Sequence, residues 1–252
     1  MASIDIFYKT YKKDFKLLEW SLRSIALNVT GYNKVIVLIP AKEKQDYIDF
    51  FKASQLPANM TTHCVDEYGN GYLYQQACKM SAHKYTDADF ILFADSDCIF
   101  DHIVDLQDYI ATGKPELLYT PYDQVGDAIC WNKPTEDFIG MPVNYEYMRR
   151  NCLIYHTFSI RAIYESEPNL ESYIMSSERF SEFNAIGAYI AIDHPQMYNM
   201  INTAEVSELS PPIGTQLWSW ADVNNNDPLH KAEYQRSLET INRVFNLNLT
   251  QL

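Results

Sequence analysis

The chain has 252 residues, 47% of them apolar and 21% charged, with a formal net charge of -13. Length and composition describe one globular domain with a full core. The acidic balance argues against nonspecific binding to nucleic acid or to an anionic membrane surface, and no apolar run approaches the roughly 20 residues of a membrane span.

Strand and helix signals alternate through the first hundred residues. Ile4 to Tyr8 reads as a short strand. Asp14 is placed to cap a helix whose apolar face is Leu17, Leu18, Leu22, Ile25 and Ala26. Lys34 to Pro40 is a near-continuous apolar run, the pattern of a strand covered on both faces. A helix containing Tyr47, Ile48, Phe50 and Phe51 follows and breaks near Pro57, and Thr62 to Val65 is a weak strand. The spacing then predicts a helix from Tyr72 to Lys84 and a buried strand from Phe90 to Ala94. Such alternation implies an open α/β sheet with right-handed crossovers. In the second half, Leu117 to Thr120 reads as a strand, and Pro134 and Pro142 argue against any helix between Tyr122 and Asn144. Helical signals resume at Glu146–Arg150, Phe158–Glu165 and Glu182–Ile192. The tail after Pro228 carries Leu238, Ile241, Val244 and Phe245 at helical spacing. The expected division is one domain over 1–252, with a ligand-binding half at 1–120 and an irregular half at 121–252.

The start, MASIDIFYKT, lacks the long apolar stretch of a signal peptide. Five widely spaced cysteines without a CxxC pair argue against a disulfide framework or zinc ribbon and suit a reducing compartment. The chain is therefore expected in the cytoplasm. Neither GxGxxG nor GxxxxGK[ST] occurs, so the two common phosphate-cradling loops are absent.

Asp95-Ser96-Asp97 is the strongest chemical signal. With 18 Asp in the chain, chance supplies on the order of one DxD, and Asp87-Ala88-Asp89 is a second. Position separates them. Asp87 and Asp89 precede the apolar run, whereas Asp95 and Asp97 follow it, at the carboxyl end where open α/β sheets bind ligands. Two carboxylates there suit a hard divalent cation that keeps positions open for phosphate oxygens; the bland alternative is an Asp-rich turn that only ends a strand.

At this point the sequence resembles the GT-A class of nucleotide-sugar glycosyltransferases. IDIFYKTYKKDFKLLEWSLRSI is similar to their first strand and helix, and GYLYQQACKMSAHKYTDADFILFADSDCIF to a G-Y-x-x-Q-Q-x-x-K-[ML] helix leading into the DxD strand. YEYMRRNCLIY, RFSEFNAIGAY and QLWSWADV resemble three later blocks of a bacterial and phage branch of that class. One departure is Cys152, where the pattern implies Pro. The resemblance implies a GT-A (Rossmann-like) open mixed sheet flanked by helices and an irregular acceptor-side half. It implies Mn²⁺ or Mg²⁺ on the donor diphosphate through Asp95 and Asp97, and nucleotide contact by Thr10, Tyr11 and Asp14.

Residue chemistry gives these blocks further roles to test. Tyr72, Gln75, Gln76 and Lys79 share a helix face, so Lys79 can meet a phosphate and the amides a base or ribose; a solvated face explains them equally. Arg149 or Arg150 can clamp phosphate as a planar fork. Glu182 lies between Phe180 and Phe183, where a carboxylate tends to be raised and can act as base for an acceptor hydroxyl. Alternatively, Ser181 caps a helix with Glu182 in its first turn. His156, His194 and His230 are candidate third metal ligands, His194 first because it ends an apolar run. Trp218 and Trp220 can wall a sugar or acceptor, or simply pack in the core. The expected activity is transfer from a nucleoside-diphosphate sugar donor to a hydroxyl acceptor. Nucleic acid enters only as a modified-base acceptor, and the non-enzymatic alternative is a nucleotide-sugar or glycan binding protein.

Overall fold

A computed structural model of the chain describes residues 2–54, 56–218 and 227–251. β1 (Ile4–Lys9) leads through a short turn into α1 (Phe15–Asn28), followed by β2 (Lys34–Pro40) and α2 (Lys44–Phe51). Then come β3 (Met60–Val65), α3 (Gly71–Met80) and β4 (Phe90–Phe93). The second half adds β5 (Glu116–Pro121), α4 (Asn132–Ile139), β6 (Leu153–His156), α5 (Thr157–Ser166) and α6 (Leu170–Ser176). It closes with α7 (Glu182–Asp193), β7 (Asn199–Asn202) and α8 (Pro228–Phe245).

The main sheet has the order β3-β2-β1-β4-β6. The first four strands are parallel, and β6 runs antiparallel to β4 with Leu153 opposite Phe93. The class is thus α/β, a mixed sheet flanked by helices. Among the described residues no helix is long and apolar enough to cross a membrane.

The apolar runs of β1, β2 and β4 follow from coverage on both faces. Successive side chains alternate between faces. Phe7, Ile36, Leu38 and Phe93 pack toward α3, α5 and α7, whereas Ile6, Tyr8, Val37 and Leu92 pack toward α1 and α2. Burying each such side chain stabilises the fold by about 1.5–3 kcal/mol. The first of these clusters mixes the two halves of the chain: Phe7 and Phe93 share it with Phe183 and Ile186.

Several expectations need correction. Asp14 occupies the N-cap position of α1 but makes no side-chain cap bond, and Ala26 is exposed while Trp20 is buried. The helix expected to reach Lys84 ends as α3 at Met80. Pro134 does not prevent α4: it stands third in the helix, where its missing N–H has no intrahelical partner to lose. Gly140, at φ 79, ends that helix in the left-handed conformation. Glu146–Arg150 is not helical; Tyr145–Glu146 instead pairs antiparallel with Thr120 and Pro121. Cys152 has φ 61, which the proline ring, fixed near -65°, does not permit. Where the family pattern implies Pro, this chain takes a turn Pro cannot make.

Candidate active site

The chain lays down β1, β2 and β3 outward in one direction, then returns to place β4 on the other side of β1. That reversal opens a crevice beyond the carboxyl ends of β1 and β4, the usual ligand position in such sheets. Thr10 leaves β1 here and Asp95 leaves β4. Asp95 to Cys98 form a tight turn, with Cys98 N donating to Asp95 O at 3.0 Å. Ser96 Oγ donates to Thr10 Oγ1 at 2.9 Å, tying the turn to β1. Because β6 runs antiparallel, Arg149 to Cys152 reach the same edge just before it. The C-terminal segment returns as well: Cys98–Ile99 pairs with Thr215–Gln216, and Leu217 N donates to Asp97 O at 2.7 Å.

A cavity of about 640 Å³ occupies this edge, with Asp95, Arg149, Arg150, Phe183, Gln216 and Trp218 among its walls. A second cleft, of about 610 Å³, adjoins it and is lined by Tyr11, Lys12, Lys13, Tyr72 and Gln75. Gln75 borders that cleft and donates through Nε2 to Asp95 Oδ1 at 3.1 Å, which links the two spaces.

Lys79 is the centre of the network. It is 2% exposed, and its ammonium lies 2.7 Å from both Asp95 Oδ1 and Glu182 Oε1. The Phe183 ring stands 4.5 Å from the same nitrogen. Burial alone would lower the Lys79 ammonium, but the Asp95 and Glu182 carboxylates outweigh it and hold it above the ordinary lysine range. Lys79 thus faces these two carboxylates and lines neither of the two cavities. Gln76, equally buried, accepts the Glu182 N–H through Oε1 at 3.2 Å. Ser181 caps α7, accepting from Asn184 N. Glu182 is thus both a first-turn residue and an ion-pair partner.

Asp97 is 6% exposed, and Gln216 Nε2 lies 3.4 Å from its Oδ1. Half-buried Asp14 sits close by. Burial raises its carboxyl above the usual range, Lys13 opposes that, and the negative charges of Asp97 and Asp95 add to it. The edge therefore concentrates acidic charge.

The two arginines differ. Arg150 donates to Glu116 Oε2 at 2.7 Å and to Ser210 O at 2.6 Å, so its fork is used within the protein. Arg149 donates through Nε to the fully buried Glu146, which also accepts from Met148 N at 2.9 Å. Glu146 thereby orients Arg149 in the cavity wall while its side chain stays 23% exposed.

His194 does not belong to this site. It ends α7, whose 12 residues carry it about 18 Å from Glu182, among the Phe158 and Tyr189 rings. The metal-ligand expectation for His194 is corrected accordingly. His156 pairs opposite Phe90, at the far end of β4 from Asp95. Thr10 is fully buried and acts through Ser96 rather than by facing the crevice. Trp220 lies outside the described residues. Sequence reasoning missed Gln216 and Glu146. Glu146 had a legible signal, since it stands in the same YEYMRR block as Arg149.

Compared with known proteins, the chain matches no family model and no curated protein.

Proposed function

We propose that the chain is a metal-dependent glycosyltransferase of the GT-A kind, moving a sugar from a nucleoside-diphosphate donor to a hydroxyl acceptor. The observation that carries this reading is the Asp95-Ser96-Asp97 turn. It sets two carboxylates at the carboxyl edge, where the strand order reverses, and one of them lines the larger cavity.

The donor set fits Mn²⁺ or Mg²⁺. Both protein contacts to Asp95 fall on Oδ1, leaving Oδ2 for a hard cation. Among the described residues no three His, Cys, Asp or Glu side chains gather as a cage. The protein then contributes one or two carboxylates and substrate phosphates complete the shell, the common Mg²⁺ arrangement. A bound cation supplies neutralisation of the diphosphate leaving group. Tyr11 and Tyr72 offer rings to a nucleoside in the smaller cleft, and Gln75 sits where that cleft meets Asp95. Arg149 offers its remaining N–H donors to a phosphate or to the sugar. Glu182 is the candidate base for the acceptor, and Trp218 a candidate acceptor wall.

A panel of nucleoside-diphosphate sugars tests the proposal by thermal stabilisation and by hydrolysis, each with Mn²⁺ and with EDTA. One nucleotide class should stabilise the protein and turn over only with metal. Asp97→Ala should abolish turnover while leaving cooperative unfolding. Full turnover in EDTA, or no donor bound, would overturn the reading. Binding without turnover would make the chain a nucleotide-sugar binding protein instead.

A further inference from the structure

We infer that Lys79 is a positioning residue that keeps two neighbouring carboxylates in separate roles, Asp95 at the metal edge and Glu182 at the acceptor. The inference rests on the metal-dependent reading above and concerns what stands between its two acidic groups.

The arrangement is built from one helix. Gln75, Gln76 and Lys79 all project from α3: Gln75 fixes Asp95 Oδ1, Gln76 fixes the backbone of Glu182, and Lys79 bridges the two carboxylates at 2.7 Å each. Asp95 comes from the end of β4 and Glu182 from the first turn of α7, so nothing in the local chain holds them apart. Both oxygens touch one nitrogen, so the two groups are close neighbours. Two carboxylates so placed repel each other and together form an attractive site for a divalent cation. Without an ammonium between them, a cation at Asp95 would draw in Glu182 as a further ligand. A ligating carboxylate is no longer available to accept a proton from a hydroxyl.

Lys79 prevents this in two ways. It occupies Glu182 Oε1 directly, and the Phe183 ring at 4.5 Å closes one flank of the ammonium. Its charge also opposes a second cation nearby. The consequence is opposite to that of a substrate-binding lysine: removing Lys79 should strengthen metal binding.

The test measures Mn²⁺ binding to the full chain by electron paramagnetic resonance, without nucleotide, for wild type, Lys79→Met and Lys79→Met/Glu182→Gln. Removing one positive charge a few ångströms from the metal should tighten Mn²⁺ binding by about tenfold or more in Lys79→Met. The double variant removes one charge of each sign and should return to within about threefold of wild type. Transfer activity should be lost in both. Unchanged or weaker Mn²⁺ binding by a folded Lys79→Met overturns the inference alone. Absence of Mn²⁺ binding by the wild type, both alone and with the stabilising nucleoside diphosphate added, removes the metal reading, and the inference with it. Should Lys79→Met fail to fold, the double variant decides. A tenfold weakening there would mean that Glu182 itself ligates the metal, which also overturns the inference.

Discussion

Replacing Glu182 by Gln separates its chemical from its structural contribution. Gln keeps the volume and an acceptor for Lys79 but removes the charge. Glu182 is 6% exposed and holds an ammonium that is itself buried. Stripping a buried ion of its only partner costs about 3–5 kcal/mol. Here Lys79 keeps Asp95 at 2.7 Å, so the loss falls to the range of one charged hydrogen bond, about 1.5–3 kcal/mol. Glu182 also stands in the first turn of α7, where a carboxylate favours the helix dipole by about 0.3–1 kcal/mol, a contribution within that range. For a chain of 252 residues, each kcal/mol moves Tm by about 2–4 °C. The variant should therefore melt about 3–12 °C below wild type.

If Glu182 is the base, transfer should fall by about 10²–10⁴ and the pH–rate profile should lose its acidic limb. Donor affinity should survive. The assay pairs a thermal melt with transfer and donor-hydrolysis rates on the same preparation. A lowered Tm with transfer at wild-type level would leave Glu182 as an anchor for Lys79 and require another base. Wild-type values for both Tm and transfer would refute the buried ion-pair network itself.

Four further outcomes are expected. Arg149→Ala should weaken donor binding, raising KM by roughly tenfold or more, and, by leaving the fully buried Glu146 carboxylate without its cation, should also lower Tm. Arg150→Ala removes the bonds to Glu116 Oε2 and Ser210 O, while Ser210 Oγ still donates to Glu116. It should lower stability by about 2 kcal/mol and leave donor KM near wild type; a raised KM in Arg150→Ala with an unchanged KM in Arg149→Ala would reverse the two assignments. Gly187→Ala should destabilise by about 1–3 kcal/mol despite its better helix propensity, because the added Cβ runs into the Cβ and Cγ of Tyr147; an unchanged urea midpoint would contradict that packing. Asp101 is raised by burial but held below its usual range by Arg243 and His102. Its stabilisation is therefore complete above the ordinary carboxylate pKa of about 4 and lost as pH falls below it. Asp101→Asn should flatten stability against pH in that acidic window, and an unaltered acid limb would count against the pairing.

The sheet was legible where both faces are covered. β1, β2 and β4 read directly because continuous apolar runs have few other uses. β6 did not, since Leu153–His156 is only four residues long and its apolar run is shared by helices and strands alike. α4 was hidden by reading Pro134 as a breaker without asking which turn it would occupy. The Glu146–Arg150 segment carried charges at helical spacing, yet pairing with β5 and the buried Glu146 carboxylate dictate an extended path.

For the site, the carboxylate turn was legible and its partners were not. The reason lies in α3. Tyr72, Gln75, Gln76 and Lys79 do share one face, but that face is not uniform in depth. Tyr72 is exposed in the smaller cleft, Gln75 stands at the boundary, and Gln76 and Lys79 are buried. Helical rise carries Lys79 about 10 Å deeper than Tyr72. A wheel projection collapses that axis, so it registers the shared face and loses the gradient from solvent to core. It also favours an exposed lysine, because lysine is seldom fully buried unless paired. The pairing here depends on Glu182, 103 residues away, brought in by α7 packing on the same sheet as β4. What local pattern presents as a phosphate-binding lysine is, once the tertiary contact forms, an ammonium already committed to two carboxylates.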